Sequence, residues 1–105
     1  MSDISKSDWK LFQEKLPEWQ EAYMERLIKD YIKILQKKCD ASERFWKLEE
    51  RIKKDKKNPG VQLQYEKSET IYNIVYLIRM KVIKIEDLAD FSNELKEEVQ
   101  QILGI

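Results

Sequence analysis

Residues 17–38, PEWQEAYMERLIKDYIKILQKK, carry the longest helical pattern in the chain. Large apolar side chains recur every four residues in one row, Trp19, Tyr23, Leu27, Tyr31 and Leu35. A second apolar row lies beside the first, at Met24, Ile28 and Ile32. Residues three or four apart share one face of a helix, so we expect a helix over residues 17–38. Its apolar face is wide enough to predict a central helix that contacts at least two neighbours.

A short helix is predicted before this segment. Ser5 or Ser7 can cap it, because a serine oxygen accepts the free N–H groups of the first helical turn. Its apolar stripe consists of Trp9, Phe12 and Leu16. We expect Pro17 to end this helix and begin the next, because proline lacks an N–H and is favoured at a first helical position.

A third helix is predicted after residue 40. Asp40 and Glu43 have the spacing of a capping box, in which each side chain pairs with the other residue's N–H. Three apolar residues at helical spacing are expected to face the core, with Trp46 alongside: Phe45, Leu48 and Ile52. The run Asn58-Pro59-Gly60 should end this helix.

A fourth helix is predicted over residues 61–80, around the apolar run IYNIVYLI at 71–78. A strand is the alternative for such a short β-branched run, but five apolar residues keep helical phase: Ile71, Ile74, Val75, Ile78 and Val82. The last segment repeats apolar residues every three or four positions, at Leu88, Phe91, Leu95, Val99 and Ile102. Ser92 can cap a new helix inside it, so this segment is one helix or two.

Together these elements predict an all-α fold, a compact bundle of four to six amphipathic helices in a single domain over residues 1–105. The composition agrees with this, because 38% of the residues are charged and only two Gly and two Pro are present. Such a composition is typical of long helices with charged outer faces.

Charge and cysteine content limit the classes of function. The net charge is zero, so general attraction of the whole molecule to a polyanion is not expected. The single cysteine, Cys39, forms no intramolecular disulfide, as is usual in a reducing compartment. Residues 1–8 lack the apolar run of a secretory signal, and the longest uncharged run, residues 70–78, is far shorter than the ~20 residues that span a bilayer. We expect a cytoplasmic protein without a membrane partner.

Catalytic and metal-binding patterns are missing from the sequence. The absence of histidine excludes Ser-His-Asp triads, Cys-His pairs and zinc sites that need a histidine. The two glycines form no phosphate-binding loop, and Cys39 has only helix-end lysines beside it. The adjacent carboxylates are expected on solvated helix faces, at Glu49/Glu50, Glu86/Asp87 and Glu97/Glu98. We therefore predict no catalytic residue, no metal site and no cofactor.

Two surface features remain as candidate sites. Lys37 and Lys38 form one basic edge, or two separate ones, with a cluster that could contact phosphates: Lys53, Lys54, Lys56 and Lys57. The alternative is that these lysines only complement the C-terminus of the third helix, and the neutral net charge favours it. The second feature is aromatic, because Trp46, Tyr72 and Tyr76 are hard to bury together with the main stripes. Trp and Tyr are frequent interface anchors, so we predict that some of these three stay exposed and bind a protein.

Three segments resemble a group of small helical proteins from Firmicutes and their mobile elements: Trp19–Met24, Ile71–Val75 and Asp87–Lys96. The similarity extends over most of the chain. The group has no established site, so the resemblance implies no functional residues. Some members carry the label "multidrug transporter", which conflicts with the lack of a membrane span. The resemblance implies an accessory protein of a plasmid, phage or conjugative element.

The sequence thus favours a non-catalytic helical protein-interaction module, a regulator or inhibitor that binds another protein or a second copy of itself. The first alternative is a nucleic-acid-binding regulator that uses the lysine-rich end of the third helix. The second alternative is a small enzyme with an unrecognised site.

Overall fold

The computed structural model describes residues 4–105, and in those residues it contains four α-helices and no strand. The helices are α1 (Lys6–Leu35), α2 (Ala41–Asp55), α3 (Thr70–Arg79) and α4 (Asn93–Leu103). Two short 3-10 helices, Lys67–Glu69 and Ile85–Leu88, precede α3 and α4. The predicted all-α bundle is confirmed.

The predicted helix break at Pro17 is wrong, because α1 continues through this residue. Proline removes the hydrogen bond to the carbonyl of Gln13 and crowds it, at a cost of about 3 kcal/mol. Pro17 lies on the solvent side of α1, where water can hydrate that carbonyl. Phe12 and Leu16 before the proline and Trp19 after it belong to one core. Their shared burial holds both parts of the helix in line.

That core packs on the first half of α1. Its buried members come from α1, α3, α4 and the chain between the last two: Phe12, Leu16, Ile71, Ile74, Val75, Leu77, Val82, Ile83, Leu88, Phe91, Leu95 and Val99. Among the described residues, no member of this core lies between Tyr23 and Leu63. The second half of α1 and all of α2 are therefore outside it.

The second half of α1 and α2 form an antiparallel helical hairpin, joined by a turn at residues 36–40. Contacts of α2 with α1 run in opposite chain directions, Arg44 with Leu35 and Arg51 with Asp30, and the turn after α2 continues the series with Asn58 on Tyr23. At 1.5 Å per residue, the 30 residues of α1 span about 45 Å, and the molecule measures 53 × 25 × 20 Å. The hairpin thus extends the molecule beyond the core.

The fourth predicted helix starts later than expected, at Thr70 instead of residue 61. Residues 62–66 are neither helix nor turn. Leu63 packs on the core, and the Tyr65 ring meets the Phe12 ring at 5.5 Å between centroids. Leu63 and Tyr65 are two residues apart, which is the period of an extended chain. The helical prediction for the run at 71–78 is confirmed, and the strand alternative is wrong.

Two of the predicted helix caps are present. The Ser5 hydroxyl accepts the N–H of Asp8 at 3.1 Å, and the Ser92 hydroxyl accepts the N–H of Leu95 at 3.2 Å. Ser92 thus begins α4 after the 3-10 helix, so the last segment forms two helices. Asp40 precedes α2 as expected, but its side chain makes no capping hydrogen bond, and the predicted capping box is wrong.

Candidate protein-binding site

Six large apolar side chains of the hairpin are exposed to solvent. We call them the hairpin face: Ile28, Ile32, Leu35, Phe45, Trp46 and Ile52. Phe45 and Trp46 are each 62% exposed, and their rings meet edge to face at 4.9 Å between centroids. The two most exposed rings of the hairpin therefore support one another instead of entering the core.

Five members of the hairpin face lie on one side of the hairpin, whereas Trp46 diverges from Phe45 by about 100° around α2. Ile28 of α1 and Ile52 of α2 line the same groove, of about 210 Å³, between the two helices. Leu35 follows Ile28 by seven residues and Phe45 precedes Ile52 by seven, close to two helical turns in each case. Because the helices are antiparallel, Leu35 and Phe45 continue this apolar surface toward the hairpin turn.

The predicted core positions of Phe45 and Ile52 are wrong, because α2 turns a different stripe toward α1. That stripe has helical spacing and is mainly polar: Arg44, Leu48, Arg51 and Asp55. The Arg51 guanidinium lies 3.7 Å from Asp30 of α1 and 3.6 Å from Asp55, which is one turn further along α2. The Arg44 guanidinium donates to the carbonyl of Leu35 at 3.0 Å. The polar pairing leaves the apolar stripe of α2 without cover.

Tyr31 forms the shortest polar contact between the hairpin helices. Its hydroxyl donates to Oδ2 of Asp55 at 2.6 Å, and Asp55 is buried. Burial, followed by this hydrogen bond and the charge of Asp55, raises the pKa of Tyr31 to about 12. Burial and the charge of Asp55 also raise the pKa of Tyr23. Both phenols stay protonated at neutral pH and act as fixed hydrogen-bonding groups that clamp α1 to α2.

The three aromatic residues predicted as interface anchors lie on two separate surfaces. Trp46 belongs to the hairpin face, whereas Tyr72 and Tyr76 lie one turn apart on α3, beside the core. Tyr72 is 52% exposed and Tyr76 is 42% exposed. The expected exposure is present at all three, and their role as anchors stays a prediction. The sequence analysis missed five further residues of the hairpin face because their apolar spacing equally suits a core helix.

The predicted basic cluster lies at the C-terminal end of α2, where all four lysines are exposed: Lys53, Lys54, Lys56 and Lys57. Lys37 and Lys38 lie in the turn before α2, at the other end of this helix. The 15 residues of α2 separate the two groups by about 20 Å. The lysines therefore form two clusters, and each lies at a helix C-terminus, where cations are favourable.

Within residues 4–105, no group of three or more Cys, Asp or Glu side chains is arranged to hold a metal ion. In the same part of the chain, no helix has both the length and the apolar character needed to cross a membrane. Cys39 is half-buried in the hairpin turn.

Comparisons with known proteins give no indication of function, so the main indication is the hairpin face. No protein-family model, no curated protein and no solved structure matches the chain. The resemblance to small helical proteins of Firmicutes therefore stays a prediction.

Proposed function

We propose that this protein is a non-catalytic helical module that binds another protein chain through the hairpin face. The observation that carries the proposal is the exposed Phe45–Trp46 pair within a two-helix apolar surface. Folded monomers rarely leave contiguous apolar patches in water, and those that exist often mark interaction sites. Covering such a surface contributes about 25 cal/mol for each Å² of apolar area removed from water.

The composition of the hairpin face supports a protein partner. Aromatic side chains near the centre of an interface commonly dominate its binding energy. Exposed charged residues border the apolar surface, among them Glu25, Lys29, Glu49 and Lys53. An apolar centre with a polar rim is the usual organisation of a protein interface.

The biological role is proposed on the resemblance to the small helical proteins of Firmicutes. We propose a cytoplasmic regulator or inhibitor, encoded by a bacterial mobile element, that acts by occupying a surface of its partner. The nucleic-acid alternative has weaker support, since the lysine clusters are split and the chain is neutral.

Photo-crosslinking in cells of the source organism tests this function. Benzoylphenylalanine replaces Phe45 in one variant and Glu86, an exposed residue of the 3-10 helix before α4, in a matched control. We expect a protein adduct from position 45 and none from position 86. Equal adducts at both positions, or no adduct from position 45, would contradict the proposal. The adduct's mass separates a second copy of the chain from a different protein.

A further inference from the structure

We infer that the chain covering the hairpin face is the hairpin of a second copy, so that two hairpins form a four-helix bundle with two-fold symmetry. This inference rests on the proposed function and names its partner. In the inferred dimer both hairpin turns lie at the same end, and α1 of each copy faces α2 of the other.

The hairpin has the pattern of one half of a four-helix bundle. On α1 the exposed residues Ile28, Ile32 and Leu35 are separated by four and three residues. On α2, Phe45 and Ile52 are separated by seven residues, and the half-buried Leu48 lies between them at the edge of the stripe that faces α1. Alternation of three and four is the spacing of helices that pack side by side in bundles and coiled coils. Each hairpin helix thus carries an apolar seam for a neighbour that its own chain does not supply.

The apolar positions also match between copies. Ile28 and Ile52 line the same groove, and the contacts of Arg51 with Asp30 and of Arg44 with Leu35 place them near the same level of the hairpin. A two-fold axis along the hairpin therefore brings Ile28 of one copy opposite Ile52 of the other. Leu35 and Phe45 meet in the same way nearer the turn. Ile28, Leu35, Phe45 and Ile52 of each copy then face an apolar group of the other.

The charge distribution is compatible with this arrangement. On the outer side of α1, acidic Glu25 is followed by Lys29, and on the outer side of α2, acidic Glu49 is followed by Lys53. Because α1 and the facing α2 are antiparallel, Glu25 comes level with Lys53 of the second copy, and Lys29 with its Glu49. The two pairs are complementary, and the neutral net charge adds no repulsion between copies.

The accessible surface area is large enough for such an interface. The chain exposes 7604 Å², and a folded monomer of 12.8 kDa is expected to expose roughly 6,300 Å². The excess of about 1,300 Å² exceeds the ~800 Å² that each partner buries in a standard interface.

The core leaves the hairpin face accessible. Pro17 and Glu21 precede Ile28 by eleven and seven residues, so they lie on the same side of α1, and both are exposed. The buried residues Phe12 and Leu16 mark the opposite side, where the core packs. A second hairpin can approach without meeting either core.

Sedimentation equilibrium of the full chain tests the dimer. At about 100 μM we expect a mass of twice 12.8 kDa. Phe45→Gln combined with Trp46→Gln should raise the dimer dissociation constant at least about 100-fold, since each copy loses its two most exposed aromatics on the hairpin face. Tyr72→Gln combined with Tyr76→Gln is the matched control, because it removes two exposed aromatics from α3, and it should leave the constant unchanged. Circular dichroism checks that each variant is folded.

A charge exchange tests the arrangement of the two hairpins. Glu25→Lys and Lys53→Glu should each raise the dissociation constant by about fivefold, because each places like charges at two symmetric positions. The double variant should restore the original constant. If both single variants dimerise more weakly and the double variant does not restore the dissociation constant, the pairing of α1 with α2 is overturned.

The outcomes separate this inference from the proposed function. A chain that stays monomeric at 100 μM but crosslinks a different protein from position 45 overturns only the dimer. A dimer that survives the Phe45 and Trp46 changes and dissociates in the Tyr72 and Tyr76 variant overturns the dimer inferred here. If, in addition, position 45 gives no crosslinked adduct, the proposed function is overturned as well.

Discussion

Asp8 binds Ser92, 84 residues further along the chain, through both oxygens of its carboxylate. Oδ1 accepts the Ser92 N–H at 2.9 Å, and Oδ2 accepts the Ser92 hydroxyl at 2.5 Å. The same hydroxyl oxygen caps α4 by accepting the N–H of Leu95. Asp8 is only 4% exposed and lies in the first turn of α1. One buried carboxylate thus fixes the start of α1 against the start of α4.

Asp8→Asn should lower the free energy of unfolding by about 1–3 kcal/mol, because an amide keeps the volume but presents N–H groups where Ser92 needs an acceptor. Urea unfolding followed by circular dichroism measures the change at one protein concentration. Asp90→Asn is the matched control, since the Asp90 side chain is 75% exposed and its ion pair with Lys15 is loose, at 3.8 Å from Nζ. The control should change stability by less than about 0.5 kcal/mol. Equal effects of the two variants would show that the contact with Ser92 contributes nothing.

The raised pKa of Tyr31 should make the folded protein less stable at alkaline pH. Its pKa is raised to about 12 in the folded chain, from an ordinary value of 10.0. Between these values the folded state binds more protons than the unfolded state, so this contribution is complete below pH 10 and disappears as pH rises to 12. Tyr31→Phe lacks the group and should lose less stability over this range. Urea unfolding of both proteins at a series of pH values measures the difference, and parallel profiles would contradict it.

Gly60→Ala should destabilise the protein by about 1–3 kcal/mol through overpacking. A Cβ added at Gly60 would lie 2.7 Å from Cγ of the Tyr23 ring. The ring is held in place because its hydroxyl accepts the Asn58 amide at 2.9 Å. The same change made in a Tyr23→Ala background should cost much less, since the ring is absent. A double-mutant cycle of thermal unfolding measures this coupling, and strictly additive effects would exclude the clash.

The lysine cluster should be dispensable for folding. Replacement by Gln of the four exposed residues, Lys53, Lys54, Lys56 and Lys57, is expected to change stability by less than about 0.5 kcal/mol per site. Fluorescence anisotropy with a labelled DNA duplex at low salt should detect no specific binding by either protein. Binding that weakens with salt and disappears in the variant, but persists when other exposed lysines (Lys6 and Lys10) are replaced, would favour the nucleic-acid alternative.

Sequence pattern predicted the core half of the fold because apolar stripes there face other apolar stripes. The residues Ile71, Ile74 and Val75 on α3 and Leu95 and Val99 on α4 are buried as their spacing indicates. For these helices, the apolar residues that recur at helical spacing are the residues that are buried. The cap at Ser92 was also predictable, because its chemistry is local to one helical turn.

The hairpin was not predictable in the same way. An apolar stripe indicates which residues avoid water, but it does not say whether the same chain covers them. The signal for exposure lay in the opposite stripe of α2, where Arg51 and Asp55 stand four residues apart and can pair with one another and with Asp30. Long-range contacts of this kind depend on how α1 and α2 align. The position of the hairpin relative to the core is set by a helix continuing through Pro17, which local propensity opposes.

α1 is one continuous helix that belongs to two regions of different stability, the core in its first half and the hairpin in its second. Amide hydrogens of its first half should exchange only when the core opens, whereas those beyond Leu27 should exchange through local opening of the hairpin. Because helical order propagates from residue to residue, a chain bound at the hairpin turn would slow exchange back along the same helix toward the core. Occupancy of the hairpin would then be recorded in the protection of α1 amides beyond Leu27, while exchange in the first half would still be set by opening of the core.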